Sequence, residues 1–156
     1  MKKILSIVGI VLVIGLVFYS LRDDANTLER SESSNTLYKY ELDVKEYGVS
    51  KTEDGRDVIA IKYKFTNNDD SEQSFFNGID DGVFQNGVKL EKAYDYEKEN
   101  YETHIKSGAS VDVVLVYELI DTTTDVEVEL KLGGSTVYFD EEEESKKITR
   151  TIKIAK

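Results

Sequence analysis

The sequence predicts an all-β body, an antiparallel sandwich or barrel, preceded by one N-terminal transmembrane helix. Three observations carry this. Apolar residues recur every second position in several short segments from Thr36 onward, the period of a half-buried strand. Clusters of Gly, Asn and Asp separate those segments, and no long amphipathic helix intervenes, which argues against a parallel β-α-β sheet. The chain opens on a continuous apolar run.

That run follows Lys2 and Lys3, extends from Ile4 to about Leu21 and stops at Arg22-Asp23-Asp24. At about 18 residues it nearly matches the roughly 20 helical residues that cross a bilayer core. In lipid every backbone amide needs a partner, so it must be helical. It is apolar on every face, unlike a surface helix. Bulky Phe18 and acidic Asp23 stand where a cleavage site wants small residues, so residues 1–21 read as a retained anchor, with a cleaved, secreted form the alternative. The leading lysines favour a cytoplasmic N-terminus and an extracellular remainder. Residues 22–35 are polar, Ser- and charge-rich and without periodicity, the composition of a flexible tether. The folded domain is expected over 36–156.

Within it, the first strand places Tyr38, Tyr40, Leu42 and Val44 on one face. The second opposes Ile59, Ile61, Tyr63 and Phe65 to Ala60, Lys62 and Lys64. The third opposes Val111, Val113, Leu115, Tyr117 and Leu119 to Asp112, Val114, Val116 and Glu118. Its two extra valines suggest a strand covered on both faces. Val126, Val128, Leu130 and Leu132 alternate with Glu127, Glu129 and Lys131, and Ile148, Ile152 and Ile154 mark a last strand. This phase predicts that Leu130→Asp unfolds the domain while Glu129→Lys barely alters its melting point. "EDG" at 53–55, "TNNDDSEQS" at 66–74, "GIDDG" at 78–82, "KSGAS" at 106–110 and "LGGS" at 132–135 read as turns. Asn86-Gly87, between "GVF" and "VKL", is a hairpin signal, because a type I′ turn needs positive φ at both central residues. One glycine without a following helix start does not make a phosphate loop. There is no Pro, so outward Lys and Glu must guard the sheet edges.

"YKFTNN", "FQNGVKLEKA" and "IKSGASVDVVLVYELID" resemble the extracellular domains of Gram-positive bacteria grouped as domain-of-unknown-function family five-zero-six-seven, over about Leu37 to Leu132. These resemble a wider immunoglobulin-like group that includes a small secreted mycobacterial antigen. The resemblance implies an immunoglobulin-like antiparallel β-sandwich of about seven strands and no established catalytic residues. It also makes Asn67, Gln85, Asn86, Gly87, Gly108, Tyr117 and Leu119 framework positions in turns and core. Ser107 stands where the family often has proline. Members often carry a lipoprotein signal, but this chain has no Cys, so the helix must do the anchoring.

Composition narrows function. The chain holds 20 Lys and Arg against 31 Asp and Glu, a net charge of −11. Residues 1–35 contribute nothing, since Lys2, Lys3, Arg22 and Arg30 balance Asp23, Asp24, Glu29 and Glu32. So acidic a body repels phosphate backbones, which argues against nucleic-acid binding. Lack of Cys removes thiolate catalysis, thiolate-bound zinc and disulfides. A body of about 120 residues buries enough surface to fold without them. His104, the only histidine, sits in a polar stretch and reads as a surface imidazole, not a triad base. Neighbouring carboxylates in turns do not flank a sugar ring as glycosidase chemistry requires. No cofactor is expected. Asp69, Asp70, Asp80 and Asp81 form a weak calcium candidate from two turns, although "NGIDDG" lacks the ligand spacing of an EF-hand.

Two stretches are candidates for a partner. "AYDYEKENY" carries Tyr94, Tyr96 and Tyr101 among acids, and loop tyrosines make good recognition anchors. Asp140 and Glu141, Glu142, Glu143 and Glu144 form an exposed acidic run. The reading is a non-catalytic, membrane-anchored extracellular binding module with an unidentified protein or cell-envelope ligand. The alternative is an immunity-type or inhibitor protein that neutralises a basic toxin or hydrolase by electrostatic steering.

Overall fold

A computed structural model describes residues 28–30, 35–93, 98–133, 141–142 and 146–154. Two antiparallel sheets face each other. One has the order β1-β9-β8-β5-β6, the other β2-β3-β4-β7. The strands are β1 (Leu28–Arg30), β2 (Thr36–Leu37), β3 (Tyr40–Lys51), β4 (Asp57–Asn67), β5 (Ile79–Gln85), β6 (Val88–Lys89), β7 (Ser110–Glu118), β8 (Val126–Leu132) and β9 (Lys147–Ile152). A one-turn helix, α1 (Phe75–Gly78), precedes β5 and is capped by the Ser74 hydroxyl, which accepts from the Asn77 amide. The chain changes sheet after β1, after β4, after β6 and after β7, so neighbouring strands in each sheet are often far apart in sequence.

The alternation read from sequence sets this core. Ile59, Ile61, Tyr63 and Phe65 of β4 are all inward and buried, as are Val113, Leu115 and Tyr117 of β7 and Val126, Val128 and Leu130 of β8. The aromatics stack at one end: Tyr63 and Phe65 lie 5.3 and 5.9 Å from Phe75, and Tyr40 lies 5.6 Å from Phe65. Val114 and Val116 are buried on the opposite face with Val58, Ala60 and Ala93. The residues after β6 cover them, pairing along β7 at Lys92↔Tyr117 and Glu99↔Val114. Asn86 (φ 51°) and Gly87 (φ 75°) turn β5 into β6 with Gln85 opposite Val88, the expected hairpin.

Several expectations are corrected. The fold class, about seven strands behind one transmembrane helix, gives way to nine strands in two sheets among the described residues. Among the described residues no helix is long and apolar enough to cross a membrane. The segment that carried that expectation, 1–21, lies outside the described residues. Leu28–Arg30, inside the expected tether, pairs with Arg150–Ile152. Tyr38 is not in the first strand: its φ of 55° makes the turn between β2 and β3. β3 runs on to Lys51 through a bulge between Val44 and Glu46, which resets the phase so that Tyr47 is buried. "GIDDG" is mostly strand: Asp80 and Asp81 lie within β5.

Candidate functional site

The inward row of β5 is Ile79, Asp81, Val83 and Gln85, so strand geometry drives a carboxylate and an amide between the sheets. Asp81 is 5% exposed. Lys92 lies opposite Tyr117 in the antiparallel bridge along the outer edge of β7, and its ammonium reaches Asp81 Oδ1 at 2.7 Å. The Tyr117 hydroxyl donates to Asp81 Oδ2. With that proton committed, Tyr63 OH donates to Tyr117 OH at 3.3 Å. Lys92 also donates to Tyr101 OH at 3.0 Å and stands 4.8 Å from that ring's centroid. Burial pushes the Tyr63 and Tyr117 hydroxyls well above the ordinary phenol value, and the Asp81 charge adds to the shift. Burial works against the Lys92 ammonium, but its hydrogen bonds to Asp81 and Tyr101 outweigh it, and its pKa rises. Both carboxylate oxygens are satisfied, as a buried charge demands. The cluster closes the lateral opening between the sheets.

Above it the surface changes character. The Phe76 amide donates to the Tyr101 carbonyl at 3.0 Å, fixing α1 against the segment after residue 98. Phe75 is fully buried while Phe76 is 53% exposed, its ring edge-on to Tyr101 at 5.2 Å. Lys98 Nζ stands 5.0 Å from the Tyr101 centroid. Lys98, Asn100, Tyr101, Glu102 and Thr103 line an open depression of ≈ 520 Å³. Asn100, at φ 55°, turns this segment, its amide donating to Asp112 O at 2.9 Å, while Thr103 Oγ1 donates to Asn100 Oδ1 at 3.3 Å.

The sequence-predicted candidates are only partly brought together. Tyr101 is in the rim but mostly buried; Tyr94 and Tyr96 lie outside the described residues, as do Glu143 and Glu144. Glu141 and Glu142 are exposed. The four calcium candidates separate. Asp69 and Asp70 both pair with Lys39, at 3.0 and 3.2 Å. Asp80 faces out of β5, and Asp81 faces in. Among the described residues no three acidic or histidine side chains converge on a metal position. His104 is exposed. Sequence reasoning missed Phe76 and Lys92. Phe75-Phe76 after Ser74 was the available signal, since two adjacent aromatics on one turn cannot both face the core.

Two amides tie the ends of the sandwich. Asn67 donates to Ser71 O and Ile105 O and accepts from the Asp69 amide. At the other end Gln85 donates to Asp121 O and Thr124 O and accepts from the Ile120 amide. The family described as Domain of unknown function (DUF5067) matches residues 17–131, well over half the chain. The chain belongs to this family. Asn67 and Gln85, expected from the resemblance at framework positions, are both buried in this DUF5067 domain. A solved structure from Staphylococcus aureus subsp. aureus NCTC 8325, described as "a putative lipoprotein", is 17% identical to the DUF5067 chain. The likeness covers 81% of this chain and 93% of that one, with a TM-score of 0.53, and it is one of fold. Among curated proteins, none matches.

Proposed function

We propose that this DUF5067 protein is a non-catalytic recognition domain that faces outward from the cell envelope. The carrying observation is the aromatic rim of Phe76 and Tyr101, held rigidly at one end of the sandwich. A half-exposed phenylalanine on a capped, hydrogen-bonded turn suits a binding anchor, because little conformational freedom is lost on contact. Strand register supports the outward orientation. Leu28 pairs with Ile152, which pairs with Val126 beside the Asn86-Gly87 end. The chain therefore enters the domain at the end opposite Phe76. The staphylococcal protein's description as a lipoprotein fits an envelope location, and the family match brings no reaction with it. The buried Asp81–Lys92–Tyr117 cluster has its donors and acceptors engaged with one another, the arrangement of a structural seal.

The immunity-type reading draws on the acidic charge. Much of that charge is met locally: Glu129 by Lys131 and Lys147, Asp69 and Asp70 by Lys39, Asp125 by Lys153. The rim therefore supports the first reading better. The test is retention of the full chain on isolated cell envelopes. Phe76→Asp should release it, and Val88→Asp, an equally exposed apolar position at the other end, should not. Equal retention of both variants and the parent, or none by any, overturns the reading.

A further inference from the structure

We infer that the Phe76–Tyr101 rim and its depression bind a glycan, specifically an uncharged pyranose chain; this rests on the recognition reading above. A pyranose has two kinds of surface. One face carries C–H groups with partial positive charge, which match the negative face of an aromatic ring. The ring edge carries hydroxyls or amides that need short hydrogen-bonding partners. The rim offers both side by side. Phe76 supplies a half-exposed ring, immobilised by its edge-on contact with Tyr101. Asn100, Glu102 and Thr103 supply amide, carboxylate and hydroxyl groups along the adjoining depression. Its volume, ≈ 520 Å³, falls within the roughly 300–1,000 Å³ of small-ligand clefts.

Charge decides against the other occupants. The chain carries −11 overall, whereas the described residues that line the depression include one cation, Lys98, and one anion, Glu102. A polyanion would meet the surrounding acidic body, and a basic protein would be drawn first to the exposed acidic surfaces. A ligand with one apolar face and one polar edge matches the Phe76 ring and the polar groups beside it. Openness at one end of the sandwich also lets a polymer pass through without a chain terminus having to enter.

The experiment uses the full chain in a sugar-free zwitterionic detergent, with three soluble probes: an N-acetylglucosamine hexamer, a β-linked glucose hexamer and an α-linked glucose hexamer. Titrations are read by calorimetry and by amide shifts. At least one probe should bind and move the resonances of Phe76, Asn77 and Asn100 to Thr103. Phe76→Ala should weaken it about tenfold, the loss of one stacked ring, with an unchanged melting temperature. Glu102→Gln, which keeps the fold and tests the polar edge separately, should weaken it severalfold. Val88→Ala should leave it unchanged. Absence of binding by all three probes with retention on cell envelopes intact overturns the glycan assignment and leaves the recognition reading standing. Loss of both overturns both. Binding that Phe76→Ala and Glu102→Gln leave unaltered also overturns the assignment, since the ligand then sits elsewhere.

Discussion

At the scale of single residues the decisive one is Asp81. Its neighbours along the inward row of β5, Ile79 and Val83, are apolar, and alone it would be intolerable between the sheets. Lys92 and Tyr117 make it tolerable. Removing the carboxylate strands the ammonium, so Asp81→Ala should cost about 3–5 kcal/mol, read from urea unfolding. The double variant Asp81→Leu/Lys92→Met should recover most of that loss, because no charge is left unpaired. The same cluster sets an alkaline limit. Tyr63 and Tyr117 have raised pKa values because of burial, Lys92 has a raised one, and burial pushes Tyr40 up to about 12. Groups whose folded values lie above their unfolded ones, roughly 10 to 10.4, favour the folded state below that pH. They lose this contribution as pH rises through the folded values. Unfolding free energy should therefore be level up to about pH 9.5 and fall above about pH 10. In Tyr63→Phe the slope should be shallower by about 1.4 kcal/mol per pH unit, the share of one tyrosine. A flat profile to pH 11.5 would contradict the burial of these hydroxyls.

At the scale of elements, strand phase was the most legible feature. β4, β7 and β8 bury most of the residues that alternation places inward, with Val111 and Leu132 partly buried at strand ends, and the Asn-Gly hairpin follows from its backbone needs. Most of what escaped had no local signal. β3 resets its phase at a bulge between Val44 and Glu46, which a period-two reading ends at Val44. "GIDDG" has the composition of a turn, and the residue that lets Asp81 go inward is 11 positions away in sequence. Tyr101, read as a loop anchor, spends its hydroxyl on Lys92 and leaves the exposed role to Phe76. Phase alone also misjudges Glu129. It is outward, but it holds Lys131 at 2.7 Å and Lys147 at 2.8 Å, and its pKa is lowered by those two hydrogen bonds. Glu129→Lys would gather three ammonium groups on β8 and β9 and should cost about 1 kcal/mol, more than a silent surface change. Leu130→Asp, at a fully buried site, should still unfold the domain. Two glycines separate conformational strain from space. A Cβ on Gly87 meets nothing within 4 Å, so Gly87→Ala bears only the strain of φ 75°, about 1 kcal/mol. A Cβ on Gly133 falls 2.8 Å from the Ile79 carbonyl carbon and 2.9 Å from its nitrogen. Backbone at the start of β5 cannot step aside, so Gly133→Ala should lower the melting temperature further than Gly87→Ala. Equal shifts would contradict the close approach of β8's end to β5.

At the scale of the whole molecule, a sandwich without disulfides has two lateral openings to close, and this one closes both with cations. Lys92 seals the side of β5 and β7 through Asp81. On the other side Arg150, inward on β9 and 3% exposed, donates to the Asn35 side chain and to the Thr149 carbonyl. Tyr47 OH donates to Lys153 O at 2.7 Å along the same side. These buried pairs are shielded from salt, whereas the net charge of −11 is spread over surface that salt reaches within a Debye length. Two electrostatic effects then compete on adding salt: screening of general acidic repulsion, which stabilises, and screening of exposed pairs such as Lys39–Asp70, which destabilises. Exposed pairs contribute about 0–1 kcal/mol each, and the seals are not among them, so repulsion should dominate. The melting temperature should rise by a few degrees between about 10 mM and about 150 mM NaCl, where the Debye length falls from roughly 30 to 8 Å, and level off beyond. A steady fall across that range would mean that surface ion pairs, not the buried seals, hold the two sheets together.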